Sequence, residues 1–448
     1  LHSAGFPFKN EPASLVSITH SRRPDPGILL LLSFLLLTWG MAQMRGVLMV
    51  ISLCASFGLL FWAILILRKH NAVQFSLNIL LSALFLLIVI DFGWGKTPID
   101  LRSSWHVLGL VTVIGYAIAS KVQKRAATLV FFTSVLISIG FRIAVPIISP
   151  SPDIDVFIGS TEAANHMLQG LNPYSTPLEN IGEHHNIFGY QLNAYFYLPL
   201  PLLLQTLSLV MTSDIRYASV LAEIVIIIGL YILSRTHLNN SKAELLTLLF
   251  ALHPYSLFVI ELAWLEPMIL ALVWSAFIFY VFNKKTGSAA FLGLASGMKQ
   301  SLMGFIIAWP LLRMSWKHAL ITIIFLTLPM ILFFIWDPIS LWREGILFQF
   351  RSGFRADSMN ILGFLHTSTN VMPGKGFGAI VGIVAALMST LLCRPLPPAI
   401  GFVASISLSS FALFLFGPQA FLNYYYLVMG LTLLLMSVSG SKKPENAF

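Results

Sequence analysis

The chain is 448 residues long, 57% hydrophobic and only 10% charged, with a mean hydropathy of +0.83. A soluble domain carries about 25% charged residues, so a soluble enzyme is excluded and a polytopic membrane protein with little soluble mass is implied. The net charge of +9 does not point to nucleic acid, because Lys and Arg are scattered singly and in pairs at the ends of apolar runs; they read as inside-facing loop anchors, not as a phosphate-binding stripe.

Residues 1–26 are polar and contain proline. The run at 27–39 resembles a signal-peptide core, but no small-residue cleavage site follows, so it reads as the first membrane helix. Spanning needs about 20 mostly apolar residues. The first third supplies such runs at 27–43, 46–67, 74–93, 105–121 and 126–148. Arg22 and Arg23, Arg68 and Lys69, and Lys121, Lys124 and Arg125 place the N-terminus inside. Five crossings then put the polar stretch 149–193 outside, and no Lys or Arg occurs between Arg142 and Arg216.

Within that loop, Ser160 to Gln169 predicts a short helix, with Ser160 as its cap and Glu162 in its first turn. Ala164, Met167, Leu168 and Leu171 would form a face lying on the membrane, and Gly170 would close the helix in the left-handed conformation. Asn172-Pro173-Tyr174 predicts a turn.

Further runs lie at 194–212, 217–234, 244–260, 267–282, 288–312, 319–336, 376–393, 398–416 and 420–438, giving about 13 or 14 spans in an all-α bundle. If every run crosses, Arg235, Lys242, Lys284 and Lys285 fall outside, against the charge rule. The conflict disappears if one element before Arg235 fails to cross and if 288–312 dips in and returns with Lys299 near its tip. The polar breaks at 254–267 and 297–301 are tolerated at membrane depth only when buried in protein or lining a cavity. A second polar loop, 336–375, carries Arg343, Arg351, Arg355 and Asp357 on the same side as 149–193. Cys54 and Cys393, both in or beside apolar runs, indicate no disulfide framework.

Asp153-Ile-Asp155, Ala163-Ala164 and Gly170-Leu-Asn172-Pro173-Tyr174 together resemble the first outer loop of GT-C fold integral-membrane glycosyltransferases that use polyprenyl-phosphate sugars. Bacterial mannosyltransferase-like families are the most similar. Gly293-Leu-Ala-Ser-Gly297-Met-Lys299 resembles the family's Gly-rich helix ending in Lys, and Gln419 to Tyr426 is family-like too. Gln300 and Ser301 stand where the family often has an aromatic and a proline. The resemblance implies a core at 126–438, accessory helices at 27–125 and a cytoplasmic tail at 439–448.

It also implies an inverting transfer of a sugar, mannose first, from a polyprenyl-phosphate donor to a lipid-linked or envelope glycan, outside a bacterial inner or cytoplasmic membrane. Asp153 matches the catalytic loop Asp and is the first choice of base, with Asp155 the second; either is ionised at neutral pH. Arg351, Arg355 and Lys299 are the candidates for the donor phosphate, which needs positive charge as it leaves. Asn172, Tyr174, Glu261, Glu266, Gln419 and Asn423 are candidate substrate contacts, and Tyr424 to Tyr426 reads alternatively as an interfacial aromatic belt. Nothing calls for a cofactor beyond the donor itself. His184 and His185 are adjacent, a poor chelating geometry, so no metal is expected. The rival reading is a transporter or flippase for a lipid-linked or polar solute, which intramembrane charge and broken helices also mark; no inverted repeat supports it.

Overall fold

In the computed structural model, the described residues are 25–43, 45–70, 73–89, 99–181, 186–187, 190–191, 193–348, 354–370, 372–374 and 376–440. Arg351, His184, His185 and most of both predicted terminal segments lie outside them. The chain folds as α1 (Pro26–Gln43), α2 (Val47–His70), α3 (Leu77–Val89), α4 (Ile99–Val122), α5 (Lys124–Ile148), α6 (Asp155–Leu168), α7 (Pro199–Thr212), α8 (Tyr217–His237) and α9 (Asn240–Ala251). There follow α10 (Tyr255–Glu261), α11 (Glu266–Val281), α12 (Lys285–Ser296), α13 (Met303–Ala308), α14 (Trp316–Trp336), α15 (Ile361–Thr369), α16 (Phe377–Cys393), α17 (Pro398–Phe416) and α18 (Leu422–Val438). A two-residue antiparallel pair, Asn186–Ile187 with Tyr190–Gln191, is the only extended pairing of strands among the described residues. The protein is an all-α polytopic membrane protein.

Seven helices are long and apolar enough to span, and the pair α9 and α10, bent by 42° at its break, makes an eighth. The shorter apolar helices α3, α11, α16 and α18 complete the alternation between two ends of the bundle. At one end, Val73 N donates to Ser439 O at 2.7 Å, joining the start of α3 to the end of α18. There too, Glu244 of α9 accepts from Tyr116 of α4 at 2.6 Å and from Thr128 of α5 at 2.8 Å. At the other end, the loop following α5 meets the end of α10, with Ser149 Oγ donating to Glu261 Oε1 at 3.0 Å.

The crossing count is lower than the 13 or 14 expected, for two reasons. First, α7 does not cross. Arg216, just after it, donates to Ser149 O at 2.6 Å and to Pro146 O at 3.0 Å, so the chain is still at the loop end when α8 begins. Second, 285–312 is re-entrant. It leaves from beside Tyr280 and returns to it, the Tyr280 hydroxyl donating to Leu312 O at 3.1 Å. With α7 not crossing, Arg235, Lys242, Lys284 and Lys285 fall at the same end as Arg68, Lys69, Lys121, Lys124 and Arg125, and with 285–312 re-entrant Arg313 and Lys317 stay there too, so the charge conflict disappears.

The rising arm of the hairpin, α12, packs parallel to α14. Thr322 Oγ1 donates to Ala289 O at 3.1 Å, and one turn further along α14 a β-carbon at Gly297 would sit 3.1 Å from Leu326 O. At Gly293 a β-carbon would collide with Thr322 O. Glycine is required there because backbone meets backbone. We expect Gly293→Leu to push α12 off α14 and to cost about 1–3 kcal/mol or more by overpacking, read as a lower thermal midpoint of the detergent-solubilised protein. A midpoint equal to that of the native chain would refute the close approach. The opposite face of α14 is apolar and open, with Ile335 78% exposed, as lipid contact requires.

Candidate active site

The polar loop holds its shape by local chemistry. α6 begins at Asp155 and not after Ser160, so Ser160 does not cap it; its buried hydroxyl has no hydrogen-bond partner. Ile154 in extended conformation precedes the first turn, where the Asp155 carboxylate suits the positive helix end. Asp155 Oδ1 accepts from Val156 N at 2.9 Å. The face expected to lie on the membrane is divided: Ala164 is buried, whereas Leu168 and Leu171 are exposed. Gly170 closes the helix at φ 75°. Asn172 Oδ1 accepts from Tyr174 N at 3.0 Å, making the turn.

Glu162 has a structural task. Its two oxygens accept from Glu179 N at 2.6 Å and Asn180 N at 2.9 Å, seventeen and eighteen residues on. Glu162→Ala would leave both amides without an acceptor, at about 1–3 kcal/mol each for whatever remains buried. The expected outcome is faster proteolytic cleavage after residue 178 with the bundle intact. Unchanged protection would show that the carboxylate does not hold the loop.

Tyr174 is fully buried, and its hydroxyl donates to Tyr197 O at 2.8 Å. It therefore braces Tyr197 instead of facing a substrate. Burial pushes the Tyr197 hydroxyl well above its ordinary range, and the nearby charge of Asp155 pushes it further, with Tyr424, Glu266 and Tyr195 adding to the effect. Those partners define a cluster: Asp155 from α6, Tyr197 before α7, Glu266 at the start of α11, and Tyr424 in α18. Lys299 at the hairpin tip completes it, its Nζ 2.8 Å from Glu266 Oε1 and 4.0 Å from the centre of the Tyr424 ring.

The other sequence candidates divide. Asp153 is exposed, whereas Asp155 is half-buried. Arg355 forms a two-pronged pair with Asp357, both contacts at 2.9 Å, and lies over the Phe421 ring at 4.7 Å. Its own backbone N–H donates to Pro418 O, and Met359 N donates to Ala420 O at 2.8 Å, so the second loop is laced to the segment that carries Gln419. Asn423 is buried with its Oδ1 unpartnered. Glu261 is buried beside Ser149 and braces the end of α10 instead of joining the cluster. Tyr425 and Tyr426 are also buried, so 424–426 is not an interfacial belt; Tyr425 donates to Met359 O at 2.6 Å and Tyr426 donates to Glu223.

A cavity of about 280 Å³ opens beside Lys299. Gln300, Ser301, Gln419 and Tyr424 give it a polar side, while Phe305, Ile383 and Leu413 are among its apolar walls. Ile383 is 42% exposed on the lipid-facing surface of α16, so the cavity reaches the bilayer side of the bundle. Gln300 Nε2 donates to Gly345 O in the π-helical turn Leu341–Leu347, tying the hairpin tip to the second loop. Sequence reasoning gave neither Tyr197 nor Gln300 a task. Nothing in their local pattern distinguishes them, since their partners lie far along the chain. Among the described residues no three His, Cys, Asp or Glu side chains are grouped as metal ligands.

The chain matches no family model, no curated protein and no solved structure. The GT-C likeness accordingly rests on the motif residues quoted above.

Proposed function

We propose that the protein is a membrane glycosyltransferase that moves a sugar, mannose first among the candidates, from a polyprenyl-phosphate donor to a lipid-linked or envelope glycan. One observation carries this reading. A loop carboxylate, Asp155, and the Glu266 of a buried Lys299–Glu266 pair both bear electrostatically on Tyr197, and Lys299 rests on Tyr424, which lines a cavity that reaches the lipid side of the bundle. An amphiphile with a polar head and an isoprenoid tail fits that division. Asp155 takes the proton of the acceptor hydroxyl. The acceptor oxygen then bonds to the anomeric carbon as the bond from that carbon to the phosphate oxygen breaks, inverting the centre. Lys299 and Arg355 balance the charge on the departing phosphate. Having Asp155 as base reverses the order read from the sequence, because Asp153 is the exposed one. The charge rule supports reading the basic end of the bundle as cytoplasmic and the site as outward-facing, so that in a bacterial cell transfer would occur on the outer face of the inner membrane.

The test is transfer of radiolabelled mannose from polyprenyl-phosphate mannose to an envelope lipid extract by the purified protein in nanodiscs. Labelled product supports the reading. No transfer from any polyprenyl-phosphate sugar overturns it. The transporter or flippase reading draws on the re-entrant hairpin and the 42° break between α9 and α10. Solute or lipid flux in proteoliposomes, without transfer, would establish it instead.

A further inference from the structure

The Lys299–Glu266 pair poses a question that its geometry answers. Both side chains are almost fully enclosed, 8% and 1% exposed. A buried pair of this kind contributes little net stability over well-packed apolar residues, because desolvation offsets most of the attraction. Its retention needs another reason. The pair is also incomplete: Glu266 Oε1 accepts from Lys299, but Glu266 Oε2 is buried with no hydrogen-bond partner. The lysine sits at the hairpin tip, where the helix is broken, and its ammonium rests on Tyr424. Tyr424 itself lines the cavity, as does Gln300 next to Lys299 in the chain. The Lys299 ammonium thus stands behind Tyr424, one residue from the cavity wall, where an anion held at the polar side of the cavity would compete with Glu266 for it.

We infer that Glu266 is an exchangeable counter-ion, a carboxylate that holds Lys299 while the anion site is empty and takes it back to expel the spent lipid phosphate. The inference rests on the proposed function and adds a positioning residue that governs product release. The chemistry gives it direction. The donor is a phosphodiester with one negative charge; the product is a phosphomonoester carrying about −1.5 to −2 at neutral pH. Lys299 therefore holds the product more firmly than the donor. Without a competing carboxylate, the product would stay.

Glu266→Gln keeps the shape and removes the competing charge. The expected result is polyprenyl phosphate bound about tenfold tighter in nanodiscs, the size of effect typical of a charge-assisted hydrogen bond. A polyprenol without phosphate should bind as to the native chain. In the transfer assay, donor KM falls, kcat falls, and inhibition by added polyprenyl phosphate strengthens by a similar factor. A merely structural carboxylate would not lower KM and kcat together. Lys299→Gln weakens polyprenyl phosphate binding about tenfold, and Glu266→Gln added to it restores nothing. If Glu266→Gln does not fold, Glu266→Asp replaces it: its carboxylate stands one methylene further back, so binding still tightens, by a smaller factor. Native protein that binds polyprenyl phosphate with an affinity unchanged by either substitution overturns this inference alone. Native protein that binds no polyprenyl phosphate overturns it together with the proposed function.

Discussion

Asp155→Asn should reduce sugar transfer by about 10²–10⁴-fold, the usual contribution of general acid–base catalysis, with the fold and donor binding retained. The asparagine keeps the size of the side chain and can still accept from Val156 N through its amide oxygen, the contact Asp155 makes at 2.9 Å. It cannot take a proton. The loss should therefore appear in kcat, with KM for the donor little changed. Asp153→Asn is the control. Asp153 is exposed and lies before the helix, so its replacement should have a much smaller effect. The measurement is initial-rate transfer by both variants in nanodiscs, alongside size-exclusion profiles to show intact protein. The reverse ranking, with Asp153→Asn inactive and Asp155→Asn active, would return the base to the residue favoured by the motif and refute the assignment made from burial.

Arg142→Ala should be the most destabilising single change away from the site, at about 3–5 kcal/mol, as expected when one partner of a buried pair is removed. Arg142 and Glu223 are both fully buried, with Nε 3.3 Å from Oε2. The same guanidinium donates to Ser138 O at 3.1 Å, Ala251 O at 2.9 Å and Phe250 O at 3.4 Å. Among the described residues Ala251 O has no backbone donor, because the helix breaks before α10, whereas Phe250 O also accepts from His253 N at 3.0 Å. Removing Arg142 thus strands a carboxylate and the Ala251 carbonyl inside the bundle. Arg142→Met with Glu223→Leu removes the stranded charge, so the pair of changes should cost less than Arg142→Ala alone. It should not restore full stability, since Ala251 O still lacks a donor. Thermal midpoints and denaturant resistance in detergent would show this ordering. A double variant no better than Arg142→Ala would mean that the Ala251 carbonyl, not the charge, dominates.

How much of this was legible in the chain follows from range. The turn at Asn172 to Tyr174 and the left-handed closure at Gly170 are local, and the residues that make them are adjacent. The start of α6 was misplaced by five residues because Ser160 has the character of a cap but stands inside the helix, which Asp155 already opens. The need for a re-entrant segment was legible from the charge rule, since only such a path keeps Arg313 and Lys317, after the hairpin, at the same end as Lys284 and Lys285 before it. Which short apolar run stays at one end was not. α7 is as apolar as a span, and its failure to cross shows only in the bonds of Arg216 to Ser149 and Pro146. The pairs Lys299–Glu266 and Arg142–Glu223 join residues 33 and 81 positions apart. In a membrane interior, helices can be apolar on all sides, so periodicity does not tell which face turns inward, and such pairs have no local signature.

The hairpin at 285–312 has a consequence for the order in which the protein is assembled during synthesis. Its arms are too short to span, and the break between α12 and α13 leaves backbone groups that lipid cannot satisfy. The neighbours that shelter it are not all upstream. Gly304 of the returning arm packs against Ala386 of α16 and Ser409 of α17, a β-carbon there falling 3.7 Å from one and 3.1 Å from the other. Those helices leave the ribosome some eighty to one hundred residues later. Until they arrive, the arm that carries Lys299 has no finished berth in the bilayer, so the centre of the molecule is completed last, by its C-terminal helices.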